Sequence, residues 1–281
     1  MSRRPLWLWP NLLSLDAPIV AVVWLWIFVK TWQVVWLPDV LPWLVGLVVW
    51  CVYVADRLLD QRGKGSDWHR LSSRHQFHSQ HKLVFGGVLA VAVVAVLVLL
   101  AFLPTHLWWH GMPIAVLVAL YFFLAWVGES EVSVLLKNIL AGVAFAYGTT
   151  IGVYFYRPDV HVFRFILSPE VLVFALLCIV NITAIDIWES ARDHESGYRP
   201  SDVVLTAVLF FLVLGTIVFA GRGDQHLEPF FWASMVAAGA LQFVNLFGRS
   251  WSMDLQRVMA DLAMVFPALP IFIERYSNLP S

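Results

Sequence analysis

Asn181-Ile-Thr-Ala-Ile-Asp186-Ile-Trp-Glu189-Ser-Ala-Arg-Asp193-His-Glu-Ser-Gly197 closes a run of about a dozen nearly unbroken apolar residues. Its carboxylates Asp186, Glu189 and Asp193 are spaced three and then four apart. On a helix those spacings return to one face. Like charges stacked on one face repel, so an apolar helix does not end this way for stability alone. A bound cation would relieve the repulsion. Earlier in the chain a second apolar run ends in Asp56-Arg57-Leu58-Leu59-Asp60. The chain therefore reads as apolar helices that carry acidic ends.

Composition agrees. Of 281 residues, 60% are hydrophobic and 13% charged, whereas a soluble domain carries about 25% charged residues. This is the composition of a polytopic membrane protein. The formal net charge of -1 gives no overall field suited to nucleic acid. Cys51 and Cys178 each sit inside an apolar run and read as small buried side chains, with no C-x-x-C pair. No small-residue cleavage site follows the first apolar run, so no removable signal peptide is expected.

A membrane-spanning helix needs about 20 mostly apolar residues. Nine candidate spans are expected, at 17–37, 41–59, 83–103, 112–127, 134–156, 170–188, 203–220, 229–247 and 258–273. With the N-terminus inside, thirteen of the eighteen Lys and Arg residues fall on the inner side. The positive-inside rule then gives an N-in, C-out orientation. Tryptophans such as Trp7, Trp9, Trp36, Trp108, Trp109 and Trp251 gather near the predicted helix ends, as interfacial belts do. The whole chain, 1–281, is expected to form one transmembrane domain. Its main polar feature is the histidine-rich cytoplasmic loop 61–82, and the second acidic motif, 186–197, follows the sixth helix.

This topology delivers both acidic helix ends, and the Lys137-Asn138 pair that opens the fifth span, to the cytoplasmic face. Oxygen-rich clusters of this kind suit hard cations such as Mg²⁺, which bridge to substrate phosphates. The plainer reading is ordinary interfacial charge, with Arg57 and Arg192 as neighbours. Asp16, ahead of Pro18, reads either as a further metal ligand or as a helix N-cap. Lys30 is expected to snorkel to the outer interface. His75, His78 and His81 recur every three residues. They suit a transition metal, or a basic face near lipid headgroups or a diphosphate. Asn181 either lines a cavity or bonds a neighbouring helix.

The order and spacing of these motifs resemble the UbiA-type intramembrane prenyltransferases. That family has nine helices and aspartate-rich motifs after helices two and six. Its first motif, N-D-x-x-D-x-x-x-D, is kept here only in its second half, Asp56 and Asp60, with Val52 and Tyr53 at the Asn and Asp positions. Its second, D-x-x-D-x-x-x-D, is matched by Asp186, Glu189 and Asp193 with one conservative change, and Gly197 also fits. A lysine often found just beyond that glycine is replaced by Tyr198 and Arg199. Lys137-Asn138, leading into a helix with Gly142 and Gly148, matches a third feature.

The resemblance implies a Mg²⁺-dependent transfer of a prenyl group from a polyprenyl diphosphate to an aromatic or other lipophilic acceptor in the bilayer. It implies Asp56, Asp60, Asp186, Glu189 and Asp193 as metal ligands, and these with Lys137 as catalytic residues. Arg57, Arg74, Asn138, Asn181 and Tyr147 would bind substrate. The missing half of motif one keeps a second reading open, a non-catalytic or re-purposed relative that binds a lipid diphosphate. A transporter predicts charge in mid-membrane, whereas these acids cluster at one interface. A CDP-alcohol phosphotransferase would need an Asp-Gly-x-x-Ala-Arg motif that the chain lacks.

Overall fold

The computed structural model describes residues 5–60, 73–127, 131–157, 162–192, 200–222 and 225–267. Among them there is no strand, and the regular structure is all helical. A short 3-10 turn, Leu6–Leu8, runs into α1 (Trp9–Leu12), followed by α2 (Asp16–Thr31) and α3 (Val40–Asp60). Then come α4 (Ser73–Gln80), α5 (Lys82–Ala101), α6 (Thr105–Val127), α7 (Glu131–Phe155) and α8 (Val162–Ile166). The last four are α9 (Pro169–Arg192), α10 (Pro200–Arg222), α11 (Glu228–Phe247) and α12 (Met253–Val265).

Seven of these helices are long and apolar enough to cross a membrane: α3, α5, α6, α7, α9, α10 and α11. By length and composition they make the chain an all-helical, multi-pass membrane protein. An eighth span is available if the bent pair Leu6–Leu12 and Asp16–Thr31, which meet at 84°, counts as one. The ninth predicted span, 258–273, is described only as far as residue 267. Its helix starts earlier, at Met253, because Ser252 accepts the Leu255 amide at 3.2 Å and caps it.

Two other predicted boundaries shift for local reasons. The first span was expected to reach Leu37, but the helix stops at Thr31. Gln33 then turns left-handed at φ 52°, so the apolar residues beyond it are not helical. Lys30 thus lies in the last turn of α2 and is exposed, not deep in a span. The fourth span begins at Thr105, well before 112, since Pro113 is carried inside the helix.

The core sits where α2, α7, α9 and α11 meet. Trp24 stacks on Phe174 with centroids 4.4 Å apart, and Phe28 lies 5.1 Å from Phe230. Trp24 Nε1 also donates to the Met264 carbonyl at 2.9 Å, tying α12 to the first long helix. By contrast α5 and α6 expose their apolar side chains, among them Leu83, Val91, Trp109 and Trp126. A surface of that kind matches a lipid environment.

One close approach fixes the α7–α9 contact. A Cβ on Gly142 would stand 2.7 Å from the Ile179 backbone nitrogen, so only glycine lets the helices touch there. Gly142→Ala should therefore lower stability by about 1–3 kcal/mol. The check is the thermal unfolding midpoint in detergent. Gly148→Ala is the control, because its nearest neighbour would be 3.5 Å away.

Candidate functional site

The end of the bundle that gathers the polar groups is defined by contacts between helix termini. Tyr121, late in α6, donates to Asp56 Oδ1, late in α3, at 2.5 Å. Asn138, early in α7, donates to Asp186 Oδ2 on α9 at 2.7 Å. Arg257, early in α12, ion-pairs with Glu189. At the other end, Trp32 Nε1 donates to Glu170 at 2.8 Å and Trp36 packs on Tyr156. The helices thus run up and down, and the two acidic helix ends come to the same end of the bundle.

Arg57 is the anchor of this end and is 2% exposed. Its Nη1 donates to the Asn11 carbonyl at 2.9 Å and to Ser14 Oγ at 2.6 Å. Its Nη2 lies 3.7 Å from Asp16 Oδ2, which also accepts from Asn11 at 2.7 Å. Its guanidinium lies 5.8 Å from the centre of the Tyr53 ring. Tyr53 thus supplies an aromatic face where the first family motif would place a carboxylate. Ser14 holds φ 58° at the bend between α1 and α2. That left-handed conformation is costly for a serine and persists because its hydroxyl is held in place.

The same hydroxyl reaches α4, which folds over this end. Ser14 Oγ is 3.2 Å from His78 Nε2, and His78 Nδ1 is 3.0 Å from the Arg74 carbonyl. A carbonyl only accepts, so Nδ1 carries the proton and Nε2 accepts from Ser14. Both ring nitrogens are therefore taken by protein partners. That removes His78 from the metal reading of the histidine set. Burial, the main cause, lowers its pKa from 6.5 to about 4, so it adds no positive charge near neutrality. His81 is exposed and packs on Phe77. The side chain of His75 lies outside the described residues.

This gives a pH signature. The unfolded chain takes up a proton on His78 as pH falls through 6.5, and the folded protein does so only near 4. The stability tied to a neutral His78 is thus present above 6.5 and lost progressively as pH falls toward 4. His78→Gln should flatten that part of the profile. The measurement is the difference between the wild-type and variant unfolding midpoints across this window.

The remaining predicted residues divide by partner. Lys137 Nζ lies 5.8 Å from the centre of the ring of Tyr121, whose hydroxyl donates to Asp56. Arg74 Nη2 is 3.5 Å from Glu189 Oε1. Asn181 lines a cavity of about 20 Å³ with Tyr53, Cys178 and Asp261, room for about one water. Its Oδ1 is buried with no hydrogen-bond partner among the described residues. Tyr147 is not brought to this end: its hydroxyl donates to the Ile166 carbonyl at 2.6 Å. The Asp60 side chain and all of Asp193 lie outside the described residues.

Two residues that sequence reasoning did not single out take central places. Arg257 is 1% exposed and faces Glu189. Asp261 lines the small cavity shared with Tyr53, Cys178 and Asn181. A signal was present: Asp254, Arg257 and Asp261 repeat the three-then-four spacing of Asp186, Glu189 and Asp193. Asp254 completes the set by accepting from Ser73 of α4 at 2.5 Å.

The donors fit a hard cation unevenly. Asp186 is bonded to a neutral amide and has no ion pair among the described residues, so its charge suits Mg²⁺. Glu189 faces two guanidinium groups that already compensate it. Among the described residues no three His, Cys, Asp or Glu side chains converge on one position. No protein-family profile, curated protein or solved structure matches the chain.

Proposed function

We propose that the chain is a UbiA-type membrane prenyltransferase that moves a prenyl group from a polyprenyl diphosphate to an aromatic or other lipophilic acceptor. The observation that carries this reading is the meeting of the two acidic helix ends with Lys137-Asn138 at one end of a single apolar bundle. The diphosphate head sits at that polar end, and the prenyl tail runs along apolar helix faces toward lipid. Cleavage of the allylic carbon–oxygen bond leaves negative charge on the departing diphosphate. Arg57, Arg74 and Lys137 supply cationic donors for that charge, and guanidinium groups do so in a fixed fork. Asn138 fixes the orientation of Asp186. Mg²⁺, when held by Asp56 and Asp186 with Asp60 and Asp193, would neutralise charge on the same leaving group. The positive-inside bias puts this end in the cytoplasm, which in a bacterium means the inner face of the plasma membrane.

The test uses purified protein, Mg²⁺, a radiolabelled prenyl diphosphate and lipophilic aromatic acceptors. Label should pass into an organic-extractable product. If the donor neither binds nor turns over, the reading is wrong. A second reading, a re-purposed binder of lipid diphosphates, is favoured by Tyr53 at the motif-one position and by the neutralised Glu189. Donor binding without turnover would select it.

A further inference from the structure

Glu189 sits among guanidinium groups from two other helices. Arg74 of α4 and Arg257 of α12 both pair with its Oε1. Arg57 of α3 is close enough that its charge acts on Arg257, and Arg74 acts on both. Asp16 and Asp56 act on Arg57, and Asp261 and Asp186 on Arg257, but Glu189 is the carboxylate that pairs with both Arg74 and Arg257. One carboxylate oxygen does not serve two planar forks. Arg74 Nε and Arg257 Nε and Nη1 are buried with no hydrogen-bond partner among the described residues, and Glu189 Oε1 meets the two arginines only as an ion pair. A buried N–H left unmatched is costly, and this pocket holds more donors than its resident acceptor serves. A phosphate group has the complementary shape, with several oxygens in tetrahedral array for planar guanidinium forks.

Glu189 is also the member of the cluster best placed to leave. Its side chain is 35% exposed, against 19% for Arg74 and 1% for Arg257. It stands in the last turn of α9, which ends at Arg192.

We propose that Glu189 is a resident stand-in for a phosphate group. A phosphate-bearing ligand displaces it from Arg74 and Arg257, and this step requires no divalent cation. The reading above enters only in naming an isoprenoid diphosphate as the source of that phosphate; free inorganic diphosphate offers the same chemistry. The two roles for Glu189 predict opposite effects of its neutralisation. A carboxylate that holds a cation is needed for diphosphate binding. A carboxylate that occupies the phosphate position competes with it.

Calorimetric titration of the full chain in detergent separates them, using inorganic diphosphate and farnesyl diphosphate as probes, each in EDTA and in Mg²⁺. In EDTA, Glu189→Gln should tighten binding by about tenfold, the scale of one charge-assisted contact. Arg257→Gln and Arg74→Gln should weaken it by about tenfold or more. Arg74 is partly exposed, so its variant reports even if the Arg257 variant does not fold. Tighter binding of farnesyl diphosphate identifies a lipid source, and equal binding a free one. Weaker binding in Glu189→Gln, or binding by any probe only with Mg²⁺, overturns the proposal while leaving the prenyltransferase reading in place. Metal-free binding that follows the predicted order, with no prenyl transfer in the separate assay, sinks that reading and leaves this one. Failure of both probes under both conditions overturns both.

Discussion

Arg57→Ala should be the most destabilising single change at the polar end, lowering stability by about 3–5 kcal/mol. The size follows from what the guanidinium serves. It is 2% exposed and holds the Asn11 carbonyl, Ser14 Oγ and Asp16 Oδ2 together across the bend between α1 and α2. Alanine strips each of these of its donor while leaving it buried, and that desolvation cost is the larger part of the effect. Ser14 would then keep its left-handed backbone with one fewer contact to hold it. Arg249–Asp202 is the comparison. Its separation is shorter, at 2.9 Å, but the Arg249 side chain is 50% exposed. The guanidinium side stays open to water, but the Asp202 carboxyl is 8% exposed and would lose this partner, so Arg249→Ala should cost about 1–3 kcal/mol, less than Arg57→Ala. Thermal unfolding of both variants in detergent tests the contrast. Asp16→Asn in the Arg57→Ala background should recover part of the loss, because it removes the charge left without its partner. Equal, small losses for the two arginines would show that Arg57 is solvated in a way its burial denies.

The sequence disclosed the helices more fully than their ends, and the faces of the site more fully than its partners. Lipid imposes a minimum length on a spanning helix, so an apolar run of about 20 residues locates one with little ambiguity. Where a run simply continues, length is silent. Val34, Val35 and Trp36 are as apolar as the helix before them, and only the backbone turn at Gln33 excludes them. At the site, three-and-four spacing correctly put Asp186 and Glu189 on one helix side. It does not say what stands opposite. Asp186 meets Asn138 of α7, and Glu189, one turn on, meets α4 and α12. Asp56 and Arg57 differ by one residue, about 100° around the helix. One reaches Tyr121 of α6 and the other the α1–α2 bend. Arg257 is less legible because a cation takes the middle position of its three-and-four pattern, between Asp254 and Asp261, where the α9 pattern holds a carboxylate.

Asp186→Asn is expected to lower prenyl transfer by about 100-fold or more while moving stability by less than about 1 kcal/mol. The asymmetry comes from the partner. Asn138 Nδ2 donates to Asp186 Oδ2 at 2.7 Å. An asparagine at 186 presents a carbonyl oxygen of nearly the same shape, so the helix contact between α7 and α9 survives. What disappears is the negative charge, the one property the amide cannot replace and the one a cation requires. Asn138→Ala makes the complementary cut: it keeps the charge and removes its orientation. It should therefore reduce transfer less than Asp186→Asn and cost stability instead, since Asn138 is 3% exposed and its amide pairing is lost. The decisive readout is the pair of ratios, transfer rate against unfolding midpoint, for the two variants. If Asp186→Asn keeps full transfer activity, Asp186 is only an interfacial charge and loses its place in the site. If its activity and stability fall together, Asp186 is a structural residue, and the bond to Asn138 is its whole role.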